Sequence, residues 1–110
     1  FESVPLADPS LAEMVARLVP AARVAAAFKN LSAEHLQRLD HPLEGDVLVC
    51  GDDRDAKEAT LALAARLPGV RAVDAGPLSS AAALERLTVL LLNVNRRYKA
   101  VTSIQIVGLP

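Results

Sequence analysis

Apolar and polar positions along this chain fall into blocks, and each block keeps one period. In "ADPSLAEMVARLVP", Leu11, Met14, Val15 and Leu18 recur at helical spacing, and Asp8 followed by Pro9 predicts a capped helix start. "RVAAAF" (23–28) is a short continuous apolar run that reads as a buried strand. "LSAEHLQRL" restarts a short helix from Ser32. "GDVLVCG" (45–51), β-branched and bounded by glycines, is the clearest strand. "DAKEATLALAARLPG" predicts a helix with Ala56, Ala59, Thr60, Leu63 and Leu67 on one stripe and Pro68-Gly69 as its stop. "VRAVDAG" follows as a strand. A long helix is expected from Ser79 to Lys99, with Leu84, Leu87, Leu91 and Val94 on one stripe. Val89, Leu90 and Leu92 make it apolar nearly all round, so burial on most sides, between layers or in a subunit interface, is expected. Arg96, Arg97 and Lys99 suit the negative end of its dipole. "SIQIVGL" closes the chain as an alternating strand.

Strands and helices thus alternate, which predicts one α/β domain over residues 1–110: a layered, mostly parallel sheet with crossover helices and a long buried helix. In a parallel sheet the strand ends at Phe28, Cys50 and Asp74 share one edge. Ligands bind beyond such ends, which directs attention to the loops "KNLS", "GDDRD" and "DAGPLSS". No internal repeat or interior linker interrupts the series.

Composition narrows the function classes. Half of the 110 residues are apolar, enough for a core, and 12 Lys and Arg against 13 Asp and Glu leave no basic field for nucleic acid. The single Cys50 can form no internal disulfide, and neither a signal peptide nor a membrane-spanning run is visible, so a cytoplasmic location is expected. The chain opens in "FESVPLADPS" without Met and is expected to be a piece of something longer. Its five glycines include no G-x-G-x-x-G and no P-loop, so no standard pyrophosphate cradle is present. His35 and His41 lack ligand neighbours at zinc spacing, and no metal site is expected. No triad or paired-carboxylate site is seen. Asp52 and Asp53 read as helix caps, with Asp55 and Glu58 offering a capping box. Cys50 reads as a small core residue, and Thr88 as bonded back to its own helix. Lys29-Asn30 stays open between a solvated loop and a cation–amide pair holding an anionic or carbonyl-bearing ligand.

The strings "VAAAFKNLSAEHL", "DVLVCGDD", "DAGPL" and "LTVLLLNVNRRYK...SIQIVGLP", in that order, resemble the C-terminal half of the NADPH-dependent coenzyme F-420 reductases, the 8-hydroxy-5-deazaflavin:NADP oxidoreductases. The resemblance covers nearly the whole chain. It implies the C-terminal part of a Rossmann-type oxidoreductase that transfers a hydride between NADP(H) and coenzyme F-420. The NADP-binding Rossmann half lies outside this chain, and the fragment alone is expected to be inactive. By the same resemblance, Lys29 and Asn30 mark the strand-end loop facing the deazaflavin, where Asn30 matches relatives and Lys29 replaces a His. Leu87 and Thr88 match the helix segment near the cofactor cleft. One relative has Arg six residues before that Thr and a hydroxyl residue two before it; here these are Ala82 and Arg86. The expected partners are these cofactors and a second copy in a homodimer, with no nucleic acid and no membrane. Two other readings are a non-catalytic dimerisation or assembly module, and a related NADPH:flavin domain of the metalloreductase kind.

Overall fold

The structure, a computed structural model, describes residues 9–27 and 44–110. Its first helix, α1 (Leu11–Leu18), is capped by Ser10 rather than Asp8. The Ser10 hydroxyl accepts from Glu13 N at 3.0 Å, and Ser10 N donates to the Glu13 carboxylate at 3.1 Å. This reciprocal box satisfies two N–H groups that the first turn would otherwise leave unpaired. Pro9 precedes the cap, and Asp8 lies outside the described residues. The predicted stripe is present but faces outward: Leu11, Met14, Val15 and Leu18 are exposed, while Ala12 and Ala16 pack on the core.

Strand β1 spans only Ala25–Ala26 of the predicted run, because alanine offers a ladder little side-chain surface to pack. The helix expected from Ser32 lies outside the described residues. Strand β2 (Gly45–Gly51) matches its prediction and is buried on both faces, as its unbroken apolar run requires. Helix α2 (Arg54–Ala65) follows, then β3 (Val70–Asp74), a 3₁₀ turn (Leu78–Ser80) and the long helix α3 (Ala81–Tyr98). The sheet order is β1-β2-β3. β2 and β3 pair in parallel from Gly45↔Val70 to Val49↔Asp74, whereas β1 pairs antiparallel to β2 through Ala25↔Gly51 and Ala26↔Cys50. The longer pairing is thus parallel, and the sheet is mixed.

Alternation along β2 sorts the core into two layers. Val47 and Val49 meet Ala64 and Leu61 of α2. On the other face, Leu48 and Cys50 meet Leu78, Ala81 and Leu84, with Ala12 and Ala16 of α1 against the same cluster. The buried side of α2 is rotated from the predicted stripe: Leu61 and Ala64 face the sheet, and Leu63 is exposed. Leu61 and Leu63 are the same size, and the run "TLALAA" is apolar enough on either side that periodicity alone misplaces its inner face. On α3, Leu84 is buried and Leu87, Leu91 and Val94 are half-buried, as predicted. Val89, Leu90 and Leu92 are exposed, because sheet and α1 cover only one side of this helix.

The chain end is not a strand. After α3, Lys99 adopts a left-handed φ of 51°, and Asn95 accepts from Thr102 N at 2.9 Å, turning the chain back. Residues 101–106 then run along the start of β2. Ile104 O accepts from Asp46 N at 2.8 Å, but Ile106 N donates to the Asp46 side chain at 2.7 Å instead of to a backbone carbonyl, so no ladder forms. Asp46 is 1% exposed and is also held by Arg71 through Nε (3.0 Å) and Nη2 (2.7 Å).

Candidate functional site

The carboxyl ends of β2 and β3 build one edge. Because β1 is antiparallel, it contributes its beginning, Val24–Ala25, and the run toward Ala27 leads away from this edge. The shared edge expected for Phe28, Cys50 and Asp74 is therefore replaced by one joining Val24, Gly51 and Asp74. Phe28, Lys29 and Asn30 themselves lie outside the described residues.

The edge is fastened by short polar contacts. Gly51 N donates to Gly76 O at 3.1 Å, and Ala75 N to Val49 O at 2.7 Å. A Cβ on Gly51 would sit 3.2 Å from Val24 O, so glycine lets β1 approach here. Gly76, with φ +94°, makes the turn of "DAGPL", and its N–H donates to Asp74 Oδ1 at 2.8 Å.

Asp52 and Asp53 divide their labour. Asp53 caps α2, accepting from Ala56 N at 2.9 Å, as expected of an N-terminal aspartate. Asp52 instead reaches across to accept from Leu78 N at 3.0 Å, joining the first loop to the 3₁₀ turn. The predicted Asp55–Glu58 box is not formed: Asp55 lies inside the first turn and Glu58 pairs with Arg54 Nε at 3.1 Å. Arg23 lies 4.0 Å from Asp53 and 3.7 Å from Asp55, exposed pairs that orient more than they stabilise.

Two open depressions adjoin Asp52. One, about 270 Å³, is lined by Ala16, Arg23, Val24, Asp52, Asp53 and Leu78 among others. The other, about 230 Å³, is lined by Glu13, Arg17, Asp52, Leu78 and Ser79 with Ala16. Both lie below the roughly 300 Å³ at which ordinary ligand cavities begin, so each suits one wall of a cleft better than an enclosed site.

Leu87 and Thr88 lie on α3, outside both depressions. Leu87 packs against the core cluster, and the Thr88 hydroxyl donates to Leu84 O at 3.1 Å, the back-bond expected of a mid-helix threonine. They stand eight and nine residues beyond Ser79, roughly 12–14 Å along the helix axis from the edge. Among the described residues, no group of three or more His, Cys, Asp or Glu could hold a metal ion. No helix among them is long and apolar enough to cross a membrane.

Cys50 is fully buried at the end of β2, and burial, aided by the charges of Asp52, Glu13 and Glu85, pushes its thiol up to about 11. A maleimide near pH 8 should therefore leave native Cys50 unlabelled and react only as urea unfolds the chain, read as a mass shift. Labelling in native buffer at the rate of a free cysteine would contradict this burial. Sequence patterning missed two polar anchors, Asp52 to Leu78 and Asp46 to Arg71 and Ile106. The only visible signal for the second is an acidic residue inside an otherwise apolar strand.

Fold and edge together define, among the described residues, an α/β domain with a three-stranded mixed sheet, three helices of which the last is long, and loops gathered at one sheet edge. No family model matches the chain. It is 41% identical over 93 residues to the F420-dependent NADP reductase of Methanocaldococcus jannaschii, covering 84% of this chain and 42% of that protein. Against the F420-dependent NADP reductase of Methanothermobacter thermautotrophicus it is 41% identical over 110 residues, 97% of this chain and 47% of that protein. The Metalloreductase STEAP3 of Rattus norvegicus is 40% identical over 83 residues, 76% of this chain and 17% of that protein. A solved chain from Arthrobacter sp. FB24, provisionally assigned as an F420-dependent NADP reductase, shares the fold with a TM-score of 0.81 at 21% identity, over 97% of this chain and 50% of that one. The chain belongs to the F420-dependent NADP reductase family, matching its C-terminal part. It spans about half the length of the curated relatives it matches.

Proposed function

We propose that this chain is the deazaflavin-side portion of an oxidoreductase that transfers a hydride between NADP(H) and coenzyme F-420. In this reading an N-terminal Rossmann half holds NADP. The observation that carries it is the 41% identity to F420-dependent NADP reductases over 84% and 97% of the chain. The working enzyme is a cytoplasmic homodimer whose second copy is met by Val89, Leu90 and Leu92, the exposed side of α3. The 110-residue chain alone is inactive.

The edge fits one wall of such a site. When bound together, the nicotinamide and the deazaflavin supply the hydride chemistry themselves. A protein serving them must hold two rings in contact and keep water out. Here Leu78 is buried, Ala16 and Val24 are half-buried, and the backbone N–H groups of Gly51, Gly76 and Leu78 are all engaged within the protein, which gives a set wall instead of one competing for ligand. The pyrophosphate falls to the other half, since this chain has no glycine-rich phosphate turn. Contact with the deazaflavin is assigned, by motif, to Lys29, Asn30, Leu87 and Thr88.

The test uses the full-length gene product, mixed with F-420 and NADPH and followed by absorbance. Loss of the oxidised deazaflavin band that tracks NADPH consumption is expected. The similarity to a metalloreductase supports a second reading, in which an NADPH:flavin domain passes electrons elsewhere. NADPH consumption with a flavin and ferric ion, and none with F-420, would replace the first reading by this second one.

A further inference from the structure

We infer that Arg96, Arg97 and Lys99, at the end of α3, bind the anionic side chain of the deazaflavin, the phosphodiester and carboxylates carried away from its ring. This rests on the reading that the chain meets coenzyme F-420. Charge is segregated along the sequence: residues 86–110 carry four of the twelve cations, Arg86, Arg96, Arg97 and Lys99, and none of the thirteen acids. The chain is nearly neutral as a whole, so this stretch is positive and the remainder negative. The carboxyl edge has the opposite sign, with Asp52, Asp53, Asp55 and Asp74 gathered there.

At the far end of α3 the three cations are exposed, and among the described residues none of them pairs with an acid. Helix polarity accounts for only part of this. A helix C-terminus carries roughly half a negative charge, against three cations in this last turn and cap. Of the acids at the adjoining start of β2, Asp46 is already taken by Arg71, and Glu44 is one charge against three. Arg96 and Lys99 also stand three apart, where like charges destabilise a helix. Lys99 holds φ 51°, a left-handed cap position that glycine or asparagine normally takes, and among the described residues it alone has positive φ without being glycine. Repulsion and strain are thus both borne at one cationic corner.

Position selects the ligand. Leu87 and Thr88, assigned by motif to the deazaflavin, lie on the same helix, and Arg96 to Lys99 stand eight to eleven residues beyond Thr88, roughly 12–17 Å along the axis. Coenzyme F-420 joins its flat ring through a ribityl chain to a phosphodiester and glutamate residues, so its charges lie well away from the ring. Guanidinium groups hold phosphate and carboxylate through paired N–H donors. This chain has no glycine-rich cradle, which leaves side-chain cations to hold such groups.

The test uses the full-length gene product carrying Arg96→Gln, Arg97→Gln and Lys99→Gln together, with binding read from F-420 fluorescence and turnover with NADPH from absorbance. At low salt the Kd and KM for F-420 should rise about tenfold, while kcat and the KM for NADPH stay within about twofold. The charge-conserving set Arg96→Lys, Arg97→Lys and Lys99→Arg should keep the F-420 KM within about threefold of the natural value. Arg66→Gln removes an exposed cation at the end of α2, on the other face of the sheet, and should shift the KM by less than about twofold. A deazaflavin that ends at the ribityl chain, without phosphate or carboxylate, should bind the natural protein and the triple variant alike. Raising the ionic strength from about 0.05 to 0.5 M should weaken F-420 binding by the natural protein and erase its advantage. An unchanged F-420 Kd in the triple variant would overturn the inference, as would an equal loss for the uncharged deazaflavin, the sign of a structural defect. Reduction of F-420 with equal KM by both proteins would remove the site and keep the functional reading. Binding that weakens in the triple variant of a protein that transfers no hydride from NADPH would keep the site and remove that reading, and a protein that binds no F-420 would remove both.

Discussion

Replacing Asp46 with alanine is expected to lower the unfolding free energy by about 2–3 kcal/mol and to release residues 101–106 from the start of β2. The carboxylate is 1% exposed and accepts hydrogen bonds from Arg71 Nε and Nη2 and from Ile106 N. Its removal leaves the Ile106 N–H and part of the guanidinium without partners. Arg71 is itself partly exposed and regains water, which keeps the cost below that of breaking a fully buried pair. Urea unfolding measures the loss, and hydrogen exchange at residues 104–106 measures the release. An unchanged midpoint with unchanged exchange would show that the clamp carries no stability.

The same carboxylate sets a pH dependence. Hydrogen bonds from the Arg71 guanidinium hold it below the usual aspartate range, and the bond from Ile106 N adds to this against the opposing effect of burial. A group with a lowered folded pKa binds fewer protons folded than unfolded, so its contribution is complete above the unfolded value of about 3.9 and is lost as pH falls toward the folded one. The stability gap between the natural chain and Asp46→Ala should thus be constant from about pH 6 to 8 and narrow below about pH 4.

Gly45→Ala is expected to cost about 3 kcal/mol. Gly45 holds φ +125°, a conformation L side chains rarely adopt, and an added Cβ would lie 2.7 Å from both Ile104 O and Ser103 Oγ. The serine can rotate away. The Ile104 carbonyl cannot, because it accepts the Asp46 N–H at 2.8 Å. Gly45→Ala and Asp46→Ala disturb the docking of the same segment, residues 103–106, through different contacts, so the double variant should lose clearly less than the sum of the two. Full additivity, or a silent Gly45→Ala, would place the strain elsewhere.

Much of the fold was legible because strong patterns coincide with buried elements. The β-branched run of β2 sits where both faces are covered, and Leu84 and Leu87 lie where α3 meets the core, with Leu91 and Val94 half-buried further along the stripe. The pattern misled where its apolar residues face away from this chain. Leu11, Met14, Val15 and Leu18 form a sound helical stripe, but periodicity does not say which body a stripe packs against. "SIQIVGL" has strand alternation, yet its ladder partner is taken by the Asp46 carboxylate, a side-chain event that no alternation encodes. At the edge, Asp53 as a cap followed from position alone, while the bond from Leu78 N to Asp52 joins residues 26 apart and needed the fold. Nothing local distinguishes Leu87-Thr88 from any core segment of α3; only the resemblance singles them out.

We propose that residues of this chain meet the deazaflavin. Hydrogen exchange of the full-length protein, with F-420 and NADP added separately, tests it most directly. F-420 is expected to slow exchange in peptides spanning Lys29-Asn30, residues 76–80 and Leu87-Thr88, while NADP alone protects chiefly the other half. Protection by F-420 confined to the other half, with these three peptides unchanged, would contradict it.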